Sequence, residues 1–248
     1  AKLRYDYQTD TYYLHVSVKQ EREETSGEAE SRTVLGVDRN VDGYLAVTST
    51  GAFIGNADLL NHKRREYERR RARLQQQGTR SAHLTIQSIG DTFANWSEDF
   101  LHQASKELVN EAVSHGCTTI VFENLENIRE RISDASKFQQ WTFNELKRQV
   151  EYKAKQQGIS VERVHPAYTS QRCSETGCGF THEDNRDGDV FVCQKCGKEL
   201  HSDYNAARNI AHKFIQNRRK SGSGGATYHL ALKSGTVNGN GDYSPSTV

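Results

Sequence analysis

Methionine is absent from all 248 residues, and the chain opens on Ala1. A fragment or a trimmed product is therefore expected, not a whole translation product. Proline occurs only twice, which leaves the turns to 19 glycines and to Asn and Asp. No apolar run approaches the roughly 20 residues that span a bilayer, and the charged amino terminus lacks a signal-type apolar core. The expectation is a soluble, cytoplasmic protein with no membrane partner. Cysteine is also sparse: five residues, an odd count for a disulfide framework and a sign of a reducing compartment. Neither sign of charge is in excess, since 33 Lys and Arg balance 32 Asp and Glu. The distribution is segregated, however. Lys63 to Arg73 holds seven cations in eleven positions, whereas Gln20 to Arg32 is largely acidic.

What is present reads as one substantial core with an accessory insert. Leu3 to Tyr7 and Tyr12 to Val18 alternate as a hairpin with one buried face, the remnant of a larger sheet or barrel in a 1–32 segment that ends in a solvated linker. Thr33 to Val37, Tyr44 to Thr48 and Ala52 to Ile54 follow as three antiparallel strands. A basic helix, Leu59 to Gln77, breaks at Gln75 to Arg80. From Ile86, apolar residues recur every three or four positions up to Gly116, so that a helical insertion covers about 58–115. Thr118 to Phe122 is a short apolar strand, paired in parallel after a crossover. A helix from about Thr142 to Gln157 and a strand from Ile159 to Val164 complete a unit over 33–167. The cysteines occupy 168–200, a last helix behind a Ser202 cap occupies 201–217, and 218–248 is expected to be disordered. The fold class is α/β with a mixed sheet.

Two acids end apolar strands. Asp38 closes Val34 to Val37 and Glu123 closes Thr119 to Phe122, and the carboxyl edge of an open α/β sheet is where crevices form. Either acid alone reads more readily as a turn or capping Asp, or a strand-end Glu, in solvent than as a ligand. Asp203 is more informative. Ala207, Ile210 and Phe214 follow it at helical spacing, which puts a carboxylate on a buried face, where it needs a partner or a metal. A position favoured by the helix dipole is the alternative. Three converging carboxylates repel one another unless cations intervene. Mg²⁺ (or Mn²⁺) prefers such oxygen ligands, and two ions about 3.5–4 Å apart suit phosphodiester cleavage.

Cys173, Cys178, Cys193 and Cys196 form C-x4-C, fourteen residues, then C-x2-C. Two such knuckles point to one tetrahedral structural Zn²⁺, with His182 or His201 as possible substitutes for one thiolate. Cys117 precedes an apolar strand and reads as a small core residue. Phe138, Trp141 and Phe143 suit either base stacking or the core.

The segments Val34-Leu-Gly-Val-Asp38, Val121-Phe-Glu-Asn-Leu125, Thr169-Ser-Gln-Arg-Cys173 through Cys196-Gly197, and Asp203-Tyr-Asn-Ala-Ala-Arg-Asn-Ile210 together resemble the TnpB proteins of insertion sequences, relatives of the type V CRISPR effectors. Their order and separations match over about Thr33 to Phe214. The resemblance implies an RNase-H-like (RuvC) fold with helical insertions and an inserted zinc ribbon. It implies Asp38, Glu123 and Asp203 as the catalytic acids of an RNA-guided DNA endonuclease encoded by a transposable element, with a guide RNA and a DNA target as partners. Lys63, Arg64, Arg65, Arg69, Arg70, Arg71 and Arg73 would then contact nucleic-acid phosphates along a channel. The family's amino-terminal recognition lobe is matched only by the hairpin. An actin-like-fold phosphotransferase shares the Gly36-Val-Asp38 strand end but needs glycine-rich phosphate loops that are missing here, and a catalytically inactive zinc-ribbon binder would not need all three acids.

Overall fold

The computed structural model describes residues 1–7, 10–18, 31–125, 137–220, 227–232, 235–237 and 243–245. Its centre is a six-stranded mixed sheet built from β3 (Ser31–Arg39), β4 (Tyr44–Thr48), β5 (Phe53–Asn56), β6 (Thr119–Glu123), β7 (Ser160–Val164) and β11 (Thr227–Leu230). The strand order is β5-β4-β3-β6-β7. β3, β4 and β5 run antiparallel as a meander, and β6 and β7 add in parallel.

The nine-residue β3 serves two partners along one edge. Val37 to Arg39 pair with β4, while Ser31 to Val34 pair in parallel with β11. That last strand corrects the expected disorder of 218–248 where residues 227–231 are concerned. Ala231 is buried, its N–H donates to Val34 O at 2.9 Å, and its carbonyl accepts from Ser49 Oγ at 3.0 Å. The expected linker between the hairpin and β3 falls largely outside the described residues.

Strand alternation divides the sheet into two faces. Leu35, Val37, Ile120 and Phe122 point to one side and pack with Leu101, Leu108, Leu146 and Val150. These last four come from α2 (Arg80–Ser114) and α3 (Lys137–Gln156). Each such fully buried side chain contributes about 1.5–3 kcal/mol. Val34, Val121 and Val164 point to the other side, against Ile210, Ala211 and Phe214 of α4 (Ser202–Lys220). The result is three layers, with the sheet between two helical covers.

The insertion is a helical hairpin of α1 (Ala57–Gln77) and α2. Asn56 caps α1 by accepting from Leu59 N at 2.8 Å, Gly78 ends it at φ 64°, and Thr79 caps α2 by accepting from Ala82 N at 3.1 Å. With a cap at Thr79, α2 starts six residues before the periodic pattern does. Tyr67 stacks on Phe93 at 5.0 Å and Phe93 meets Phe138 at 5.7 Å, so aromatic rings tie α1, α2 and α3 together. Phe138 and Phe143 therefore serve packing, and Trp141, next to Phe138 at 5.5 Å, joins them while staying part-exposed.

The amino-terminal strands β1 (Lys2–Asp6) and β2 (Thr11–His15) pair as expected. Their predicted buried face is not seen: Leu3, Tyr12 and Leu14 are all more than 60% exposed. A second small sheet joins β8 (Arg186–Asp187), β9 (Val190–Val192) and β10 (Glu199–His201) within the cysteine segment. No described helix is long and apolar enough to cross a membrane.

Candidate metal and carboxylate centre

Gly36 explains how the acids meet. A Cβ at this position would lie 2.0 Å from Ala207 O and 2.9 Å from Ala211 N, so only glycine lets α4 lie this close to β3. The helix runs antiparallel to the strand. Two residues further along β3 is Asp38, and one helical turn back along α4 is Asp203. Both rises are about 6 Å, so the two acids stay in step. In the parallel pair, Val37 faces Phe122, and one step beyond that pair Asp38 comes beside Glu123. Asp38 and Glu123 share the face of Val34 and Val121, which is the face α4 covers.

Asp38 and Asp203 are buried at 8% and 7% exposure, and Glu123 is half-buried. Burial raises the Asp38 carboxyl well above the usual range, and the charges of Glu123 and then Asp203 raise it further. Burial also raises Asp203, against the neighbouring charges of Arg186 and His201. Two of the acids reach protein donors through their carboxylates. Asn40 Nδ2 donates to Asp203 Oδ2 at 3.0 Å, Arg186 donates to Asp203 Oδ1 at 3.2 Å, and Thr169 Oγ1 donates to Glu123 Oε1. The three carboxylates thus share one face and one electrostatic field. They do not, however, come within a common 4.8 Å shell; among the described residues only the four cysteines do.

Sequence reasoning missed Arg39, Arg186, Asn40 and Thr169. Arg39 alternates to the far face of β3, is 9% exposed, and lies over the rings of Phe122 and Phe143 at 5.0 and 5.3 Å. Its guanidinium donates to Glu123 O at 2.8 Å and to Phe143 O at 3.1 Å. Burial lowers it to about 10, and Glu123 and Asp38 hold up its charge. A buried cation beneath the acids compensates part of their repulsion. The signal available in the sequence was a charged residue directly after a strand-end acid.

The cysteines assemble as predicted. Cys173 Sγ lies 3.7 Å from Cys196 Sγ, and Cys178 Sγ lies 3.7 Å from Cys193 Sγ. Sulfurs about 2.3 Å from a tetrahedral zinc are separated by about 3.8 Å, so the four fit that ion and are too far apart for disulfides. Cys193 is brought down to about 7, because N–H groups of Cys196 and Lys195 outweigh its burial, whereas burial pushes Cys173 up. Neither histidine substitutes. His182 Nδ1 accepts from Asp184 N at 3.3 Å, and His201 Nδ1 accepts from Asp203 N at 3.3 Å. His201 thereby takes the capping place expected of Ser202, whose hydroxyl instead donates to Gly188 O at 2.9 Å.

Two asparagines fasten the first knuckle to α4. Asn205 accepts from Ser174 N at 3.0 Å and donates to Arg172 O at 2.8 Å, and Asn209 donates to Thr169 O at 2.9 Å. On α1, six of the seven predicted phosphate-binding cations are exposed, while Arg64 is half-buried over Phe138 at 5.4 Å. Glu66 and Glu68 approach Lys63 and Arg64 at 3.6 and 3.7 Å.

The family model for the Cas12f1-like TNB domain matches residues 143–210. The CRISPR-associated endodeoxyribonuclease Cas12f1 of Sulfoacidibacillus thermotolerans is 34% identical over 227 residues, covering 85% of this chain and 52% of that protein. A TnpB-like protein of Methanocaldococcus jannaschii is 36% identical over 121 residues, 47% of this chain and 42% of that one. The chain thus spans about half the length of these relatives. A cryo-EM structure of a Cas12f1-sgRNA-target DNA complex superposes with a TM-score of 0.54 at 24% identity, over 71% of this chain and 48% of that one, and shares the fold. On these likenesses, the chain belongs to the family of TnpB-like and Cas12f1-like proteins.

Proposed function

We propose that the chain is the nuclease half of an RNA-guided, divalent-metal-dependent DNA endonuclease of the TnpB type, on an RNase-H-like (RuvC) core with an inserted zinc ribbon. The observation that carries this reading is the placement of Asp38, Glu123 and Asp203 on the α4 face of one sheet, with Asp38 electrostatically raised by both partners. Such a cluster of acids repels itself when ionised, and hard divalent cations with oxygen ligands relieve that repulsion. These three residues would hold Mg²⁺ (or Mn²⁺), which when bound supplies a nucleophilic water and charge neutralisation in an in-line phosphodiester displacement.

The remaining parts are the protein's own. Thr169 orients the Glu123 carboxylate, Arg39 anchors its backbone, and Asn40 and Arg186 hold Asp203. Arg186 competes with a cation for the same oxygens, and once displaced it adds positive charge where the phosphate gathers. The exposed cations of α1 suit sequence-independent phosphate contacts, as an RNA–DNA heteroduplex or a displaced strand would require. Cys173, Cys178, Cys193 and Cys196 would hold one structural Zn²⁺. A guide RNA and a DNA target are the partners, in keeping with the structural relative that contains both.

The test is cleavage of labelled DNA matched to a guide RNA, in the presence of Mg²⁺. Asp38→Ala and Asp203→Ala should each lower the rate by at least about 100-fold. Undiminished cleavage in either variant sinks the reading.

A further inference from the structure

On the flank of α4 that faces the first cysteine knuckle lies a cavity of about 200 Å³. Tyr168, Thr169, Arg172, His212 and Lys213 line it. Thr169 is the residue whose hydroxyl holds Glu123, so the cavity begins one side chain away from an acid of the carboxylate centre. Its volume exceeds that of several waters at about 30 Å³ each, and its two charged lining residues, Arg172 and Lys213, are both cations.

Three observations mark it as more than surface relief. Lys213 donates one proton to Ala167 O at 2.9 Å and has two others to offer, and neither it nor Arg172 is in an ion pair among the described residues. His212 Nε2 is buried there without a hydrogen-bond partner. Tyr168 is 67% exposed and yet sits at φ 64°, a conformation that disfavours any side chain with a Cβ. Backbone N–H groups of Gln171 and Arg172 donate to its carbonyl at 3.3 and 3.1 Å and define the turn, a role that glycine would fill with less strain. An exposed aromatic held in a strained turn next to these cations does little for stability, and such strain collects at functional sites.

We propose that this cavity is a nucleotide subsite for the single DNA strand to be cut, in which Arg172 and Lys213 bind a backbone phosphate and Tyr168 stacks on the adjoining base. The pairing of an electrostatic groove with an aromatic platform is how single strands are held without sequence preference. The purpose assigned to the strand rests on the nuclease reading; the binding itself does not.

The experiment is fluorescence anisotropy of a labelled oligodeoxythymidylate with the whole chain, without added divalent cation, alongside an abasic strand of equal length. Tyr168→Gly should weaken binding of the thymidylate at least about fivefold and leave the abasic strand unchanged. Arg172→Gln combined with Lys213→Gln should weaken both strands and shrink the log–log salt slope by about 0.7 for each phosphate no longer neutralised. Tyr168→Gly should also keep or raise the melting temperature, because it relieves the strained φ. Unchanged thymidylate affinity overturns the proposal. So does an equal weakening for both strands accompanied by a lower melting temperature, which would mark Tyr168 as structural, and so does preference for duplex over single strand. A chain that binds as stated yet with Mg²⁺ cuts no DNA, neither single-stranded nor guide-matched, refutes the nuclease reading and leaves the subsite standing. Normal cutting with normal strand binding in both variants refutes the subsite alone.

Discussion

Gly36→Ala tests the whole arrangement with one methyl group. The added Cβ would lie 2.0 Å from Ala207 O, and an ordinary contact begins at 3.4 Å, so α4 must retreat by about 1.4 Å. The clashing atoms belong to the helix backbone, so no rotamer change relieves them. Overpacking of this kind costs about 1–3 kcal/mol, and the rigid neighbour places this site at the upper end. For a chain of this size that is a fall of roughly 6–12 °C in melting temperature. The functional effect should be larger than the stability effect. Asp203 rides on α4 and Asp38 on β3, so the same shift opens the distance between them, and a displacement of about 1 Å can cost about 100-fold in rate. Guide-dependent DNA cleavage, measured well below the variant's melting temperature, separates the two effects. A Gly36→Ala variant with an unchanged melting temperature and full cleavage would refute the view that this close approach sets the acids' spacing.

Asp38→Asn should stabilise the protein at neutral pH without divalent cations. The folded-state carboxyl is raised first by burial and then by Glu123 and Asp203, so the unfolded chain releases its proton at lower pH and wild-type stability falls as pH climbs above about 4. A gain of roughly 2–4 °C at pH 7 that vanishes near pH 4 is expected in thermal melts; a decrease at pH 7 contradicts the shift. Thr169→Val leaves the half-buried Glu123 carboxylate without its hydroxyl donor, and cleavage should fall about 10-fold through kcat with KM little changed, whereas an effect on KM alone would argue against positioning. Elemental analysis should find one tightly bound zinc per chain, and Cys178→Ser should lose it together with several degrees of melting temperature; a zinc-free, fully stable protein would disprove the site. Reversing Arg69, Arg70 and Arg73 to Glu should weaken nucleic-acid binding and flatten its salt dependence, and an unchanged slope would remove α1 from the interface.

Legibility in the sequence followed the range of the interactions. The cysteine cluster was readable because its chemistry is written in the spacing, and the three strand-end and helix-face acids because periodicity places them. Arg39 was not, since its partners, the carbonyls of Glu123 and Phe143, lie 84 and 104 positions away. The strand β11 was hidden for another reason. It alternates over only four residues, Thr227 to Leu230, within a stretch rich in Gly, Ser and Asn, and it is recruited by main-chain pairing along an edge that β4 leaves open on the nine-residue β3. Gly36 was visible as a glycine inside a strand, and that position alone flags a close backbone approach; which helix approaches it only the fold reveals. The hairpin failed in the opposite sense, because alternation in β1 and β2 is present in the sequence while no described residue covers it.

The cysteine segment is more than an appendage to the carboxylate edge. Its first knuckle is bolted to α4 by Asn205 and Asn209, the same helix that delivers Asp203. Asn209 also holds the carbonyl of Thr169, whose hydroxyl orients Glu123. Its last strand, β10, ends on His201, which accepts the N–H of Asp203, while Arg186 at the start of β8 reaches that acid's carboxylate. Two of the three acids are thus positioned by residues of the segment that the proposed zinc would order, and the third, Asp38, is positioned by the sheet. It follows that folding of the cysteine segment and assembly of the acids are one cooperative event on the α4 side, and that Asp38 should keep its place in the sheet when that segment is perturbed, while the charges of Glu123, Asp203 and Arg186 shift around it.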